Sequence, residues 1–188
     1  MPYSKKITLI AIVLAFIVIV FGAYVRLTDA GLGCPDWPGC YGFFGVPESS
    51  ESLLEVEKTF PGQVVESGKA WREMIHRYIA STLGFLILIL FGLSLSQKRK
   101  SSDHSKTRLP LYLLMLVVFQ GLLGMWTVTL KVHPVIVSAH LIGGLSTLSL
   151  LFYYYKKLNT VSTVTERLNG LVVLGFCFLV IQILLGGW

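Results

Sequence analysis

Trp71-Arg-Glu-Met-Ile-His-Arg-Tyr-Ile-Ala-Ser-Thr-Leu-Gly-Phe-Leu-Ile-Leu-Ile-Leu-Phe-Gly-Leu-Ser-Leu-Ser96 decides the fold. Its last 19 residues, 78–96, contain no Asp, Glu, Lys or Arg. About 20 residues of helix cross the hydrocarbon core of a bilayer, so this stretch is long enough to span. Residues 7–25, 109–130, 132–155 and 168–188 have the same character, each 19 residues or longer and free of those four charged types. Backbone inside lipid must satisfy its own hydrogen bonds, which leaves helices or a closed barrel. No ten-residue alternating pattern occurs, so the prediction is an all-α integral membrane protein with five spans.

Composition agrees. Of 188 residues, 54% are hydrophobic and only 14% charged, with a mean hydropathy of +0.70. A soluble domain of this size needs far more charge to cover its surface. The first span has a competing reading as a secretory signal peptide, since Lys5 and Lys6 precede it and Gly22-Ala23 forms a weak cleavage site. Its 19 apolar residues exceed the usual signal core of about 7–15, which favours a retained helix.

Loop charge sets the expected orientation. With the N-terminus inside, the inner segments carry ten of the 16 basic residues, while the outer ones carry eight of the ten acids. That is the positive-inside bias, and it predicts N-in, C-out for five spans. The net charge of +6 is thus a topology signal and gives no support for nucleic-acid binding. Residues 26–73 become one long outer loop rich in Gly, Pro and acid. Short connections elsewhere make sequential helices antiparallel, so the first four spans should form an up-down bundle over residues 1–157. Residues 158–188 add the fifth span, which stops at Trp188 as it reaches the outer face, an ending that reads as truncation.

An internal echo accompanies this layout. Val18-Ile-Val-Phe-Gly-Ala-Tyr24, Gln120-Gly-Leu-Leu-Gly-Met-Trp126 and Gln182-Ile-Leu-Leu-Gly-Gly-Trp188 each close an outward-running span with apolar residues, Gly, one residue and an aromatic. Close packing at Gly and an aromatic at the interface explain each copy locally. The shared Gln-x-Leu-Leu-Gly-x-Trp also hints at duplication, with spans 1–2 and 3–4 as two hairpins of one design.

Four histidines are present. His104 falls in a basic inner loop and His133 in the outer turn, both solvated or interfacial. His76 and His140 lie at similar depth within the second and fourth spans, which are parallel and diagonal in an up-down bundle. Ionisable groups inside a membrane are expensive and point to function. One reading is an interhelical hydrogen bond from each. The other is a bis-histidine haem site, because haem takes an axial ligand from each side of a flat macrocycle. Small residues on the same faces favour haem: Ala80 and Gly84 follow His76, and Gly143, Gly144 and Thr147 follow His140. A metal without porphyrin would want more than two ligands. Glu73, three residues before His76, shares its face. It reads as an interfacial carboxylate favoured by a helix N-terminus, or, beside a haem, as a group that exchanges a proton or stabilises positive charge. Arg26, Arg77 and Lys131 defy the inside bias; they either meet anionic groups such as haem propionates or snorkel. Cys34 and Cys40 flank Pro-Asp-Trp-Pro-Gly in an oxidising space and read as a structural disulfide or a redox pair, while Cys177 reads as a core residue.

Together these residues resemble the N-terminal half of haem A synthase, of the bacterial type with a cysteine pair. The resemblance rests on Tyr24-Val-Arg-Leu-Thr-Asp-Ala-Gly-Leu-Gly-Cys-Pro-Asp-Trp-Pro-Gly-Cys40, on Glu73-Met-Ile-His-Arg77, on residues 120–130 and on His140-Leu-Ile-Gly-Gly144, and it covers nearly the whole chain. It implies eight helices in two similar halves, each with a histidine pair. His76 and His140 would be axial ligands of the substrate haem O, and Glu73 the catalytic carboxylate. Two hydroxylations of a porphyrin methyl group would give a geminal diol, which loses water to leave the formyl group of haem A. Cys34 and Cys40 match the outer-loop pair. Haem b would occupy the second half, of which only the first helix is present, so a chain incomplete and inactive alone is expected. Haem O synthase and terminal oxidase assembly factors are the implied partners. Two other classes fit the same residues: a b-type cytochrome subunit passing electrons through a bis-histidine haem, and a non-catalytic membrane assembly protein.

Overall fold

Four long helices account for the first four expected spans. The computed structural model describes residues 2–98 and 105–159, together with Ile181. The fifth span, His104 and Cys177 lie outside these. In chain order the helices are α1 (Pro2–Leu27), α2 (Ser50–Thr59), α3 (Ser67–Lys98), α4 (Ser105–Thr129) and α5 (Pro134–Leu158). All but α2 are long and apolar enough to cross a membrane, and no strand occurs among the described residues. The chain is therefore a multi-pass membrane protein, with α1 packed into the bundle as its first span.

The bundle closes as a ring. α1 packs on α3, α3 on α4, α4 on α5, and α5 back on α1. The two diagonals are thus α1–α4 and α3–α5, as an up-down order with short connections requires. One such connection is the tight turn before α5. Lys131 and Val132 both adopt positive φ, at 49° and 57°, the Val132 N–H donates to the Thr127 carbonyl at 2.7 Å, and Pro134 opens α5, where its missing N–H costs nothing.

Packing divides into three levels along the bundle. At the inner half, Ala11, Ile12, Ala15, Leu83, Ile87, Leu90, Leu113, Leu151 and Tyr154 form one buried cluster. At the outer end Cys34, Cys40, Tyr41, Val56, Ala70 and Met74 form a second. Between them lies a level of glycines, with His76 and His140. Lipid tails are as apolar as Leu, so contact and shape rather than water exclusion hold the inner cluster together.

The outer loop is more ordered than its composition led one to expect. It contains α2, whose N-cap Ser49 accepts from the Ser52 N–H at 3.1 Å, with Glu51 in the first turn and Lys58 in the last, both matching the helix dipole. Val56 then buries against the disulfide cluster. Helix α3 begins at Ser67, a turn before Trp71, so the loop is shorter than 26–73. The Trp71 indole N–H donates to Glu48 at 2.8 Å, and the Tyr78 hydroxyl donates to the Phe44 carbonyl. Both pin the loop over the bundle mouth.

This helix rotation makes a simple prediction. Ile87 is fully buried and its neighbour Leu88 is half-exposed on the outside of the bundle. Ile87→Ala should destabilise the purified protein by about 2–5 kcal/mol, the cost of an unfilled buried site, while Leu88→Ala leaves thermal unfolding in detergent nearly unchanged. Equal effects would mean that α3 is rotated differently.

Candidate functional site

The Glu-x-x-His-Arg run begins one turn into α3 and faces two ways. Ala70, Met74 and Glu73 meet the outer loop. Gly33 makes this approach possible: a Cβ there would stand 2.6 Å from the Lys69 carbonyl carbon and 2.7 Å from the Ala70 nitrogen. With only hydrogen in the way, the Gly33–Cys34 backbone lies directly on α3. The Cys34 N–H then donates to Glu73 Oε2 at 3.0 Å, and the Gly33 N–H also bonds the carboxylate. Glu73 is only 4% exposed.

Arg77 completes the grip. Its Nη2 pairs with Glu73 Oε1, and its Nη1 donates to the Gly39 carbonyl and, at 3.3 Å, to the Pro38 carbonyl. Cys34 and Cys40 are joined in a disulfide with Cα atoms 4.8 Å apart. Glu73 therefore holds the first end of the disulfide ring and Arg77 the second. Inside the ring, the Asp36 carboxylate accepts from the backbone N–H groups of Tyr41, at 2.5 Å, and Gly42, at 2.8 Å. Both residues have positive φ, 55° and 83°. Tyr41 packs edge-on against Phe60, ring centroids 5.6 Å apart. Burial, then the charges of Glu66, Asp36 and Glu73, raises its phenol above the ordinary value.

His76 points into the bundle, toward Gly22 of α1. It stands nine residues into α3, and His140 six residues into α5, on diagonal helices. Each imidazole meets a glycine of the neighbouring helix. A Cβ on Gly22 of α1 would stand 2.8 Å from His76 Cε1, and one on Gly124 of α4 would stand 3.6 Å from His140 Cε1. Phe21 stacks near the His76 ring at 6.5 Å and 14°. These glycines belong to the repeated Gly-x-aromatic ending, so the echo has a structural meaning: in each hairpin it provides a flat wall against the histidine. The Nδ1 atoms of both histidines are buried without a hydrogen-bond partner among the described residues.

The remaining expected residues distribute unevenly. Gly143 receives the Gln120 amide of α4, and Gly144 faces Ile19 of α1. Thr147 donates to the Gly143 carbonyl at 2.9 Å. Gly84, expected beside His76, instead opens onto an outer groove between α3 and α4 lined by Phe85, Leu88, Leu114, Val117 and Val118. Arg26, Lys131 and His133 are exposed at the outer end, whereas Arg77 is engaged by the loop. Among the described residues no three His, Cys, Asp or Glu side chains form a cluster suited to a bare metal ion. Sequence reasoning passed over Gln120 as part of the echo. It is 8% exposed with an unpartnered Nε2, and an amide within an uncharged span was the available signal.

Two comparisons bear on this site. The profile of the cytochrome oxidase assembly protein family matches residues 5–188. The chain is 46% identical to "Heme A synthase" of Shewanella oneidensis over 184 residues, covering 95% of this chain and 54% of that protein. It is 30% identical to "Heme A synthase" of Sinorhizobium fredii over 130 residues, covering 61% of this chain and 34% of that one. The chain thus spans about half the length of the first relative and about a third of the second. No solved structure matches it.

The grip on the disulfide ring is open to test. Arg77→Ala leaves Glu73 buried and uncompensated, so it should cost about 3–5 kcal/mol. Glu73→Gln keeps an acceptor for Cys34 and should cost less. Thermal unfolding of the two purified variants checks the order, and an Arg77→Ala protein as stable as wild type would remove the proposed clamp.

Proposed function

The chain belongs to the family of cytochrome oxidase assembly proteins, and from that premise we propose that it contributes the substrate-binding half of a haem A synthase. In this reading residues 1–157 hold haem O, and residues 158–188 open a second half that carries haem b. The activity is oxidation of the haem O methyl group to the formyl group of haem A, for use by a terminal oxidase. Haem O synthase upstream and oxidase assembly factors downstream are the partners, and residues 26–73 face the periplasm. The similarity to the heme A synthase of Shewanella oneidensis, which runs through 95% of the chain, supports the reaction class.

One observation carries the assignment of the site. Two imidazoles stand on diagonal helices, each walled by a glycine of the adjacent helix and each with an unpartnered buried nitrogen. Left unpaired, such a nitrogen costs free energy in lipid. His76 and His140 would hold the iron of the substrate macrocycle, and the glycine beside each ring leaves its imidazole unobstructed by a Cβ. His76 and His140 are thus the substrate ligands. The Gly22 and Gly124 walls keep the imidazoles from being displaced toward each other's helix.

Glu73 lies one turn outward of His76 on the same helix, beside the level where the macrocycle would sit. We assign it the catalytic carboxylate, which stabilises positive charge or accepts a proton near the methyl group under oxidation. Arg77 keeps it oriented, and the Cys34 and Gly33 N–H groups limit its movement. Arg26 and Lys131, exposed at the outer end, meet the haem propionates, whereas Arg77 acts through Glu73. The disulfide is structural in this scheme, because it sets the backbone donor that Glu73 needs.

Three measurements test the reading. Haem O titrated into the full-length protein should add a low-spin bis-histidine difference spectrum, over that of any haem b already bound, which His140→Ala or His76→Ala abolishes; a wild-type protein without that added spectrum would sink the site. Gly22→Leu should lower haem affinity at least about tenfold, because its side chain must occupy the space of the His76 ring. Glu73→Gln, which preserves the Cys34 hydrogen bond, should bind haem O normally and yield no haem A. Normal haem A output from that variant would leave Glu73 as a loop anchor and favour a plain b-type electron carrier or assembly protein.

A further inference from the structure

Gln120 is the buried polar group that neither the loop clamp nor axial ligation uses. It lies on the face of α4 that carries Gly124 four residues on, and Gly124 meets His140. Its amide nitrogen sits so close over Gly143 that a Cβ there would stand 1.9 Å away. Gly143 is three residues beyond His140 on α5, hence one turn deeper on the same wall. The side chain is 92% buried, being 8% exposed, and its Nε2 has no acceptor among the described residues. An N–H donor without partner in an apolar bundle is costly. Retaining it makes sense where a ligand brings the acceptor.

Resting on the haem O reading above, we propose that Gln120 recognises the hydroxyl of the hydroxyethylfarnesyl arm of haem O and so selects it over haem B. The argument runs from charge. A porphyrin with two propionates enters a membrane bundle with its carboxylates toward water, since burying either in hydrocarbon is expensive. The exposed cations Arg26 and Lys131 stand at that outer end. The opposite edge then points inward, one turn below the imidazoles, to the level of Gln120 and Gly143. In haem O that edge bears the hydroxyethylfarnesyl substituent, and in haem B it bears only vinyl groups. The inner apolar cluster below, with Leu83, Leu113 and Leu151, bounds this level. A site that pairs a buried polar group with a substrate hydroxyl rejects the analogue without it, because the polar group is then left unpaired.

The same orientation keeps the oxidised methyl near the outer side, because that methyl shares a pyrrole with a propionate. Glu73 stands one turn outward of His76 and is on the side where it is needed. Recognition at Gln120 and chemistry at Glu73 therefore use opposite edges of one macrocycle.

The test is equilibrium binding of haem O and haem B to the full-length protein in nanodiscs, read as difference spectra against the His76→Ala/His140→Ala double variant. Wild type should bind haem O about tenfold more tightly than haem B, the size one net hydrogen bond supports. Gln120→Leu should cut the preference for haem O about tenfold, by weakening haem O alone. Retained haem B binding reports that the variant is folded. If Gln120→Leu binds neither, Gln120→Met, unbranched and of similar volume, decides in its place. A preference for haem O that is undiminished in the folded variant, or an equal loss for both haems, overturns the role of Gln120. Absence of any histidine-dependent spectrum in wild type would instead overturn the haem site itself.

Discussion

The ion pair between Glu73 and Arg77 is the constraint on which the rest of the outer half depends. Both residues sit on one helix, four apart, yet their remaining bonds go to opposite ends of a disulfide ring nearly 40 residues earlier in the chain. Neither charge has much water to fall back on, with side chains 6% and 12% exposed. Removing one partner leaves the other stranded, so the pair and the ring stand or fall together. His76 is one of the three residues between them. Fixing Glu73 and Arg77 against the loop fixes the rotation of α3, and that rotation aims the imidazole at Gly22. The outer loop therefore acts as a positioning device for a histidine that it does not touch.

The same logic is repeated without the clamp on the opposite side. His140 also meets a glycine of its hairpin partner, but α5 is entered through the tight turn at Lys131 and Val132 rather than through a disulfide-bonded cap. One hairpin is fixed by long-range electrostatics and the other by a short connection. Glycine serves both for the same reason: a Cβ would take the space of the imidazole. Placing two such contacts at one level, between an apolar cluster below and the disulfide cluster above, confines polar chemistry to a thin slab of the bundle.

Much of this was legible in the sequence. Uncharged stretches long enough to cross a bilayer marked all four described spans, because hydrocarbon leaves the backbone no other solution. Histidines at matching depth gave the diagonal pair. The Gly-x-aromatic echo was visible too, but its target was not, since nothing local says that Gly22 faces residue 76. Glu73 was read by its helical neighbour His76, whereas its strongest partners come from Cys34 and Arg77, and the first of these is a tertiary contact that a one-dimensional pattern cannot carry. Gly84 failed for a related reason. Spacing along α3 put it eight residues beyond His76, and the drift of 3.6 residues per turn carries it round to the groove beside α4. Helix α2 was missed because its weak apolar pattern matters only once Val56 has the disulfide to bury against.

Unpartnered polar atoms are the last feature to weigh. A bundle in lipid could replace them with apolar groups at a gain in stability, and the inner half has largely done so. Among the described residues four remain close to the glycine level: Nδ1 of His76, Nδ1 of His140, Nε2 of Gln120 and Oγ of Ser138. Packing alone has no need of any of them. Each leaves a buried polar atom without a partner among the described residues, which costs stability. A macrocycle with iron at its centre and a hydroxyl at its inner edge would use a histidine pair and an amide in this spatial order. The spacing of the unsatisfied groups, more than any one of them, is what supports the proposed reading of the bundle as a receptor for such a molecule.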